Sequence, residues 1–161
     1  MRLNVGYLFN KSIGTSRQIP VNFATLKIDD LSLRDLQSNI KISRTREGLL
    51  LQVKVKAEVD TTCGRCLDDF YMPVSSEFEE LYQFPSRHRE ETDLVVPQDG
   101  FIDLEPLYRE YLFLAIPIKR LCKPDCKGLC TICGAKLNDT TCEHTLADGK
   151  PSVIIEGEET V

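Results

Sequence analysis

Residues 48–60 read "GLLLQVKVKAEVD". Leu49, Leu51, Val53, Val55, Ala57 and Val59 alternate with Leu50, Gln52, Lys54, Lys56, Glu58 and Asp60. A period of two over this length predicts a long strand with one face in a core and the other in water. The preceding stretch "SNIKISRTREG" (38–48) reads as its partner strand. Thr45 to Gly48 would then form the hairpin turn, with Gly48 free to take a positive φ. The following stretch "DFYMPVSSEFEELYQF" (69–84) sets Phe70, Met72, Val74, Phe78, Tyr82 and Phe84 on one face. Pro73 inside that run marks an edge or a bulge. "RLNVGYLF" (2–9) and "RQIPVNF" (17–23) supply further strands. The expectation is an antiparallel β meander, a partly closed sheet.

Farther along, apolar residues recur at a different spacing. In "IDLEPLYREYLFLAIP" (102–117), Leu104, Leu107, Tyr108, Tyr111, Leu112 and Ala115 follow one another at three and four. This predicts one main amphipathic helix over 103–116, its stripe packed on the sheet. Asp103 is the N-cap candidate, Pro106 is tolerated in the first turn and Pro117 ends the element. The fold class expected is α+β. The organisation expected is a sheet domain over 1–118, a Cys-rich zinc segment over 119–145 and a flexible tail over 146–161. "PSRHREETDLVVPQDG" (85–100) reads as the loop from sheet to helix. His88 within it has no ligand neighbours at metal spacing, so it reads as an exposed loop histidine.

Composition fits a soluble globular protein: 42% hydrophobic and 28% charged over 161 residues. The longest apolar run, "YLFLAIPI", is too short to span a bilayer. The N-terminus has no apolar signal core, which predicts a cytoplasmic protein with no membrane partner. Net charge is −5 but uneven. Residues 1–60 hold ten Lys and Arg against six Asp and Glu, and residues 61–161 hold ten against nineteen. Within 117–137, Lys119, Arg120, Lys123, Lys127 and Lys136 face only Asp125. Those five cations are the candidate phosphate contacts. The acidic majority suits a basic partner protein equally well.

The seven cysteines are clustered. An odd count at CxxC spacing in a reducing compartment points to metal ligands and away from a disulfide scaffold. "CTICG" (130–134) has the form of a zinc knuckle: two thiolates on one tight turn, then a glycine that lets the backbone fold over Zn²⁺. It needs two more ligands. The nearest pair gives the local set Cys122, Cys126, Cys130 and Cys133, which is the reading adopted. Cys142 with His144, or Cys63 with Cys66 from the sheet end, are alternative or second-site ligands. Two zincs would use every cysteine. A redox reading of Cys63 and Cys66 competes, but such a pair usually opens a helix in a βαβ unit, and none surrounds it. There is no P-loop, GxGxxG, GxSxG or HExxH. Two histidines in the whole chain leave little for acid–base chemistry. The residues therefore predict a zinc-stabilised binding module that is not an enzyme and has no small-molecule substrate.

Three blocks carry a resemblance: "TTCGRCLDDFYMPV", "FIDLEPLYREYLFLAIPIKRLC" and "CKGLCTICGAKLN". In order and spacing, over roughly residues 30–145, they resemble the bacterial YceD family of large ribosomal RNA subunit accumulation proteins. The resemblance implies a non-enzymatic ribosome biogenesis factor that promotes large-subunit (23S) rRNA accumulation by binding rRNA or a ribosomal protein. It marks Cys63, Cys66, Cys122, Cys130, Cys133, Gly134 and Asn138. Many members end in CxC where this chain has Cys142-Glu143-His144. A thiol–disulfide oxidoreductase at Cys63/Cys66 and a zinc-stabilised protein–protein adaptor are the competing readings.

Overall fold

The computed structural model describes residues 1–85 and 94–145. His88 and the tail at 146–161 lie outside them. Four long strands form one antiparallel sheet: β2 (Ser16–Ile28), β3 (Leu31–Arg44), β4 (Gly48–Thr62) and β5 (Asp69–Gln83), in that order. β1 (Arg2–Asn4) pairs with β6 (Phe101–Asp103) in a separate two-stranded sheet. Helix α1 (Glu105–Ala115) follows. Most of the regular secondary structure is strand, so α+β applies loosely.

The meander appears as expected, but the sheet is open and not partly closed. β2 and β5 are its two edges, and both carry a proline, Pro20 and Pro73. A proline cannot donate to a ladder, so edges are where a sheet tolerates one. β2 and β3 meet at Ile28 and Leu31 around Asp29, whose φ of 48° is one that aspartate tolerates. Register shifts between Arg34 and Gln37 of β3, where Asp35 takes φ 47°. This bulge keeps Leu36 in the core, 1% exposed, after the alternation would have turned it outward.

The alternation in 48–60 sorts as the sequence predicts. Leu49, Leu51, Val53, Val55, Ala57 and Val59 are buried. The opposite face is wet, lined by Gln18, Asn39, Lys41, Gln52, Lys54 and Glu77 around an open cavity of about 570 Å³. The buried face is covered by α1 and by Val5 and Leu8 of the N-terminal segment. Leu104, Leu107, Tyr108 and Leu112 are buried against it, and Tyr111 stacks on Phe78 with centroids 3.9 Å apart.

Three details differ from expectation. Of the stretch 2–9 only Arg2–Asn4 is strand, and Gly6–Leu8 winds into a short 3-10 helix. The residue before α1 is Leu104, already helical in φ and ψ. Asp103, one residue earlier, still accepts the Glu105 N–H at 3.1 Å. β6 holds Asp103 extended, which moves the cap one position outward. Gly48 does not take a positive φ. Its requirement is steric, since a Cβ there would lie 1.9 Å from the Tyr82 carbonyl oxygen.

The core holds one buried polar contact that ties helix to sheet. The Tyr108 hydroxyl donates to Ser38 Oγ at 2.8 Å, and burial raises its pKa. Tyr108→Phe leaves the Ser38 hydroxyl without that partner. It should cost about 1–2 kcal/mol in a urea titration with an unchanged m-value.

Candidate metal centres

β4 ends at Thr62 and β5 begins at Asp69. The connection "CGRCLD" closes a tight turn, with Cys63 N–H bonded to Asp68 O and Leu67 N–H to Cys63 O. Leu67 takes φ 59° there. Gly134 takes φ 72° at the equivalent place after Cys133. Both knuckles need a left-handed residue after the second cysteine. Only the second has the glycine that announces it in sequence, so Leu67 carries no signal of its role. Gly64, the glycine inside the first knuckle, has no positive φ.

After α1 the chain comes back to this sheet end. The Gly64 N–H reaches Arg120 O at 2.8 Å. Arg120 Nη1 also donates to Thr61 Oγ1 at 3.2 Å. Cys122 and Cys126 are thereby set against the first knuckle. Sγ of Cys63 lies 3.8 Å from that of Cys126, and Sγ of Cys66 lies 3.6 Å from that of Cys122. A regular tetrahedron with metal–sulfur bonds of about 2.3 Å has sulfur–sulfur edges of about 3.8 Å. A disulfide needs about 2.0 Å. All seven cysteines are free thiols, so the spacing fits a metal ion and not a disulfide.

Two groups result, each with ligand atoms within 4.8 Å of one another: Cys63, Cys66, Cys122 and Cys126, and Cys130, Cys133, Cys142 and His144. The structure thus divides the local set Cys122, Cys126, Cys130 and Cys133. The first two go to the sheet end, and the last two meet Cys142 and His144. It also does not bring Cys63 and Cys66 to Cys130 and Cys133. Spacing along the chain favours the local set, but the return of the chain after α1 makes the distant knuckle the nearer one in space.

The two groups differ in exposure. Cys63, Cys66 and Cys126 are buried and form their own small cluster, apart from the main core. In the second group Cys130 is buried, Cys142 half-buried, and Cys133 and His144 exposed. Local dipoles prepare some thiols to ionise. The Cys66 backbone amide, helped by those of Cys122 and Arg65, draws Cys63 down to about 6 against the effect of burial. The amides of Cys133 and Ile132 do the same for Cys130, also to about 6. The Asn138 side chain lowers Cys126. Cys66 and Cys133 are pushed up: the amides of Asp68 and Ala135 favour their thiolates, but burial and neighbouring thiols outweigh them. So many thiolates fit in this space only around a cation.

The two knuckles are packed together. Arg65 donates from Nη1 to Cys126 O at 2.9 Å, and its own carbonyl accepts the Leu129 N–H at 3.2 Å. Gly128, φ 76°, lies so close that a Cβ would sit 3.1 Å from Arg65 O. Of the predicted phosphate contacts, Lys136 is paired with Asp68 and Arg120 is bonded to Thr61. Among the described residues, no ion pair holds Lys119, Lys123 or Lys127.

These residues fall within a recognisable family. The chain matches the family described as "Large ribosomal RNA subunit accumulation protein YceD" over residues 51–153. The chain belongs to the YceD family. An uncharacterized protein of Mycobacterium bovis is 31% identical over 121 residues, 73% of this chain and 58% of the relative. One of Mycobacterium leprae is 29% identical over 103 residues, 62% of this chain and 48% of the relative. A Zea mays protein, described as large ribosomal RNA subunit accumulation protein YCED homolog 1, chloroplastic, is 44% identical over 43 residues, 27% of this chain and 15% of the relative. The chain spans less than two thirds of the length of each. No solved structure matches it. YceD proteins are thus described by an effect on large-subunit rRNA, not by a catalysed reaction. Among the described residues no helix is long and apolar enough to cross a membrane.

Proposed function

We propose that this chain is a non-enzymatic ribosome biogenesis factor, acting in the cytoplasm, that promotes accumulation of large-subunit (23S) rRNA. In this reading Zn²⁺ fills both thiol centres as a structural metal, and the Cys-rich segment contacts precursor rRNA. Four thiolates in one set, and three thiolates with an imidazole in the other, are the ligand types that suit zinc. Each set supplies four ligands, a full tetrahedral shell of the kind structural zinc has, whereas catalytic zinc keeps an open position.

The observation that carries the RNA reading is the contrast between cations and anions on this surface. Lys119, Lys123 and Lys127 have no ion pair among the described residues. The acidic surface that would hold a basic ribosomal protein is already engaged within the chain. Asp68 pairs with Lys136, Glu77 with Lys54, Glu79 with Gln52, Glu80 with the Tyr111 hydroxyl and Asp69 with Thr62. The oxidoreductase reading loses support because the sulfurs of Cys63 and Cys66 lie against Cys126 and Cys122.

The test is fluorescence anisotropy of the zinc-loaded protein with large-subunit rRNA fragments across a salt series. Three phosphate contacts give a slope of log K against log salt near −2 to −3. Replacing Lys119, Lys123 and Lys127 together with Gln should remove most of that slope and leave the zinc content at two per chain. Salt-insensitive binding, or none to rRNA fragments, would overturn the RNA reading in favour of a protein partner or an adaptor.

A further inference from the structure

The loop between the two halves of the second centre carries Asn138. It lies five residues after Cys133 and four before Cys142. Its side chain nevertheless turns to the first centre. Nδ2 donates to Cys126 Sγ at 3.3 Å, and Oδ1 accepts the Lys127 N–H at 2.9 Å. One amide thus fixes a coordinating sulfur and the backbone just after it. The loop is shaped to deliver it. Leu129 and Lys136 form a short antiparallel bridge, and the Leu137 N–H bonds Gly128 O at 2.9 Å. Asp139 N–H, Thr140 N–H and the Thr140 hydroxyl all return to Lys136 O. That turn leads the chain on to Cys142 and His144.

We propose that Asn138 is a positioning residue that couples the two metal centres, so that occupancy of the exposed centre sets the affinity of the buried one. The inference rests on the reading of both clusters as metal sites. A metal at the second centre closes the loop at both ends, through Cys130 and Cys133 on one side and Cys142 and His144 on the other, and holds Asn138 on Cys126. Without it the closing ligands come free, and Asn138 is held only by the Leu129–Lys136 bridge, the turn at Lys136 and single hydrogen bonds to Gly128 and Lys127. Cys126 Sγ then loses its side-chain hydrogen-bond donor, and the affinity of the first centre for metal falls. The order of loss follows from exposure. Cys133 and His144 face solvent while Cys63, Cys66 and Cys126 do not, so the second centre empties first and weakens the first. Linkage makes the effect reciprocal: metal at the first centre tightens the second by the same factor.

Cobalt(II) reports both sites. Its charge-transfer and ligand-field bands distinguish four sulfurs from three sulfurs with a nitrogen. Full-length protein should bind two equivalents with both signatures. Removing a hydrogen bond to a coordinating group costs about 10- to 100-fold in metal affinity, and that is the loss expected at the four-sulfur site in Asn138→Ala. Asn138→Asp keeps the acceptor for the Lys127 N–H but has no donor for Cys126. It should lose affinity as well, which separates the sulfur contact from folding of the loop. Emptying the second centre with Cys142→Ser and His144→Ala should weaken the four-sulfur site in the wild-type background. It should add no further loss when combined with Asn138→Ala. Full affinity in Asn138→Ala, or an equal loss from emptying the second centre in both backgrounds, would overturn the coupling. A wild-type stoichiometry of one would overturn the two-metal reading on which it stands.

Discussion

Gly48→Ala should destabilise the sheet by about 3–5 kcal/mol, a large part of the 5–15 kcal/mol that holds a typical domain. Gly48 opens β4, an interior strand, and is paired with Gln83 of β5. Its N–H and carbonyl are both bonded to the Thr45 hydroxyl that closes the hairpin. An added Cβ would meet Tyr82 O at 1.9 Å and Gln83 Cα at 2.8 Å. Both are backbone atoms in a ladder, so relief requires the ladder to part. Gly14→Ala is the matching control. Gly14 has φ 89° but nothing within 4 Å of an added Cβ, so it should cost only the left-handed strain, about 1–2 kcal/mol. Urea titrations of the two variants check this. A Gly48→Ala protein within 1 kcal/mol of wild type would show that the strands separate there without penalty.

The same residue shows what a sequence discloses. Gly48 is legible as a turn glycine, but its reason is not. A positive φ is the common cause, whereas the close approach of β5 depends on a strand twenty or more residues farther on. The interior strand β4 and the stripe of α1 are legible because a long regular period leaves one fold element to explain it. β1 and β6, three residues each, are too short to show a period, and their pairing is set by the segments around them. That the sheet is open is readable after the fact from Pro20 and Pro73, one in each edge strand. The eight ligand candidates are legible as residue types. Their division is not, because it depends on where α1 delivers the chain. Arg65 and Gly128, which lock the two knuckles together, give almost no warning. Arg65 looks like any exposed base, and only the glycine in "KGLC" hints at a close approach.

Cys66→Ser should lower the metal content from two per chain to one and release the Cys-rich segment while the sheet survives. The buried thiols form a cluster separate from the main core, so few apolar contacts hold residues 120–130 to the sheet end. What remains is a small set of hydrogen bonds: Gly64 N–H to Arg120 O, Arg120 Nη1 to Thr61 Oγ1, Arg65 Nη1 to Cys126 O and Leu129 N–H to Arg65 O. Each contributes about 1 kcal/mol net, whereas a structural zinc site contributes about 10–16 kcal/mol of apparent binding free energy near neutral pH. Without the ion, the thiols held together here lose the charge that makes their proximity favourable. Limited proteolysis should then cut within 119–130, where wild type resists. The far-UV strand signal should persist, because the core of β2–β5 and α1 contains none of the ligands. A strong chelator should give the same cleavage in wild type, and added Zn²⁺ should reverse it there but not in Cys66→Ser. Cys133→Ser, at the exposed centre, should also lose one metal but leave the sheet-end cysteines in place, so cleavage near Arg120 should be weaker. A protein that contains no metal as purified and still resists protease at 119–130 would remove the basis for both centres, because among the described residues only a few hydrogen bonds would be left to hold that segment against the sheet.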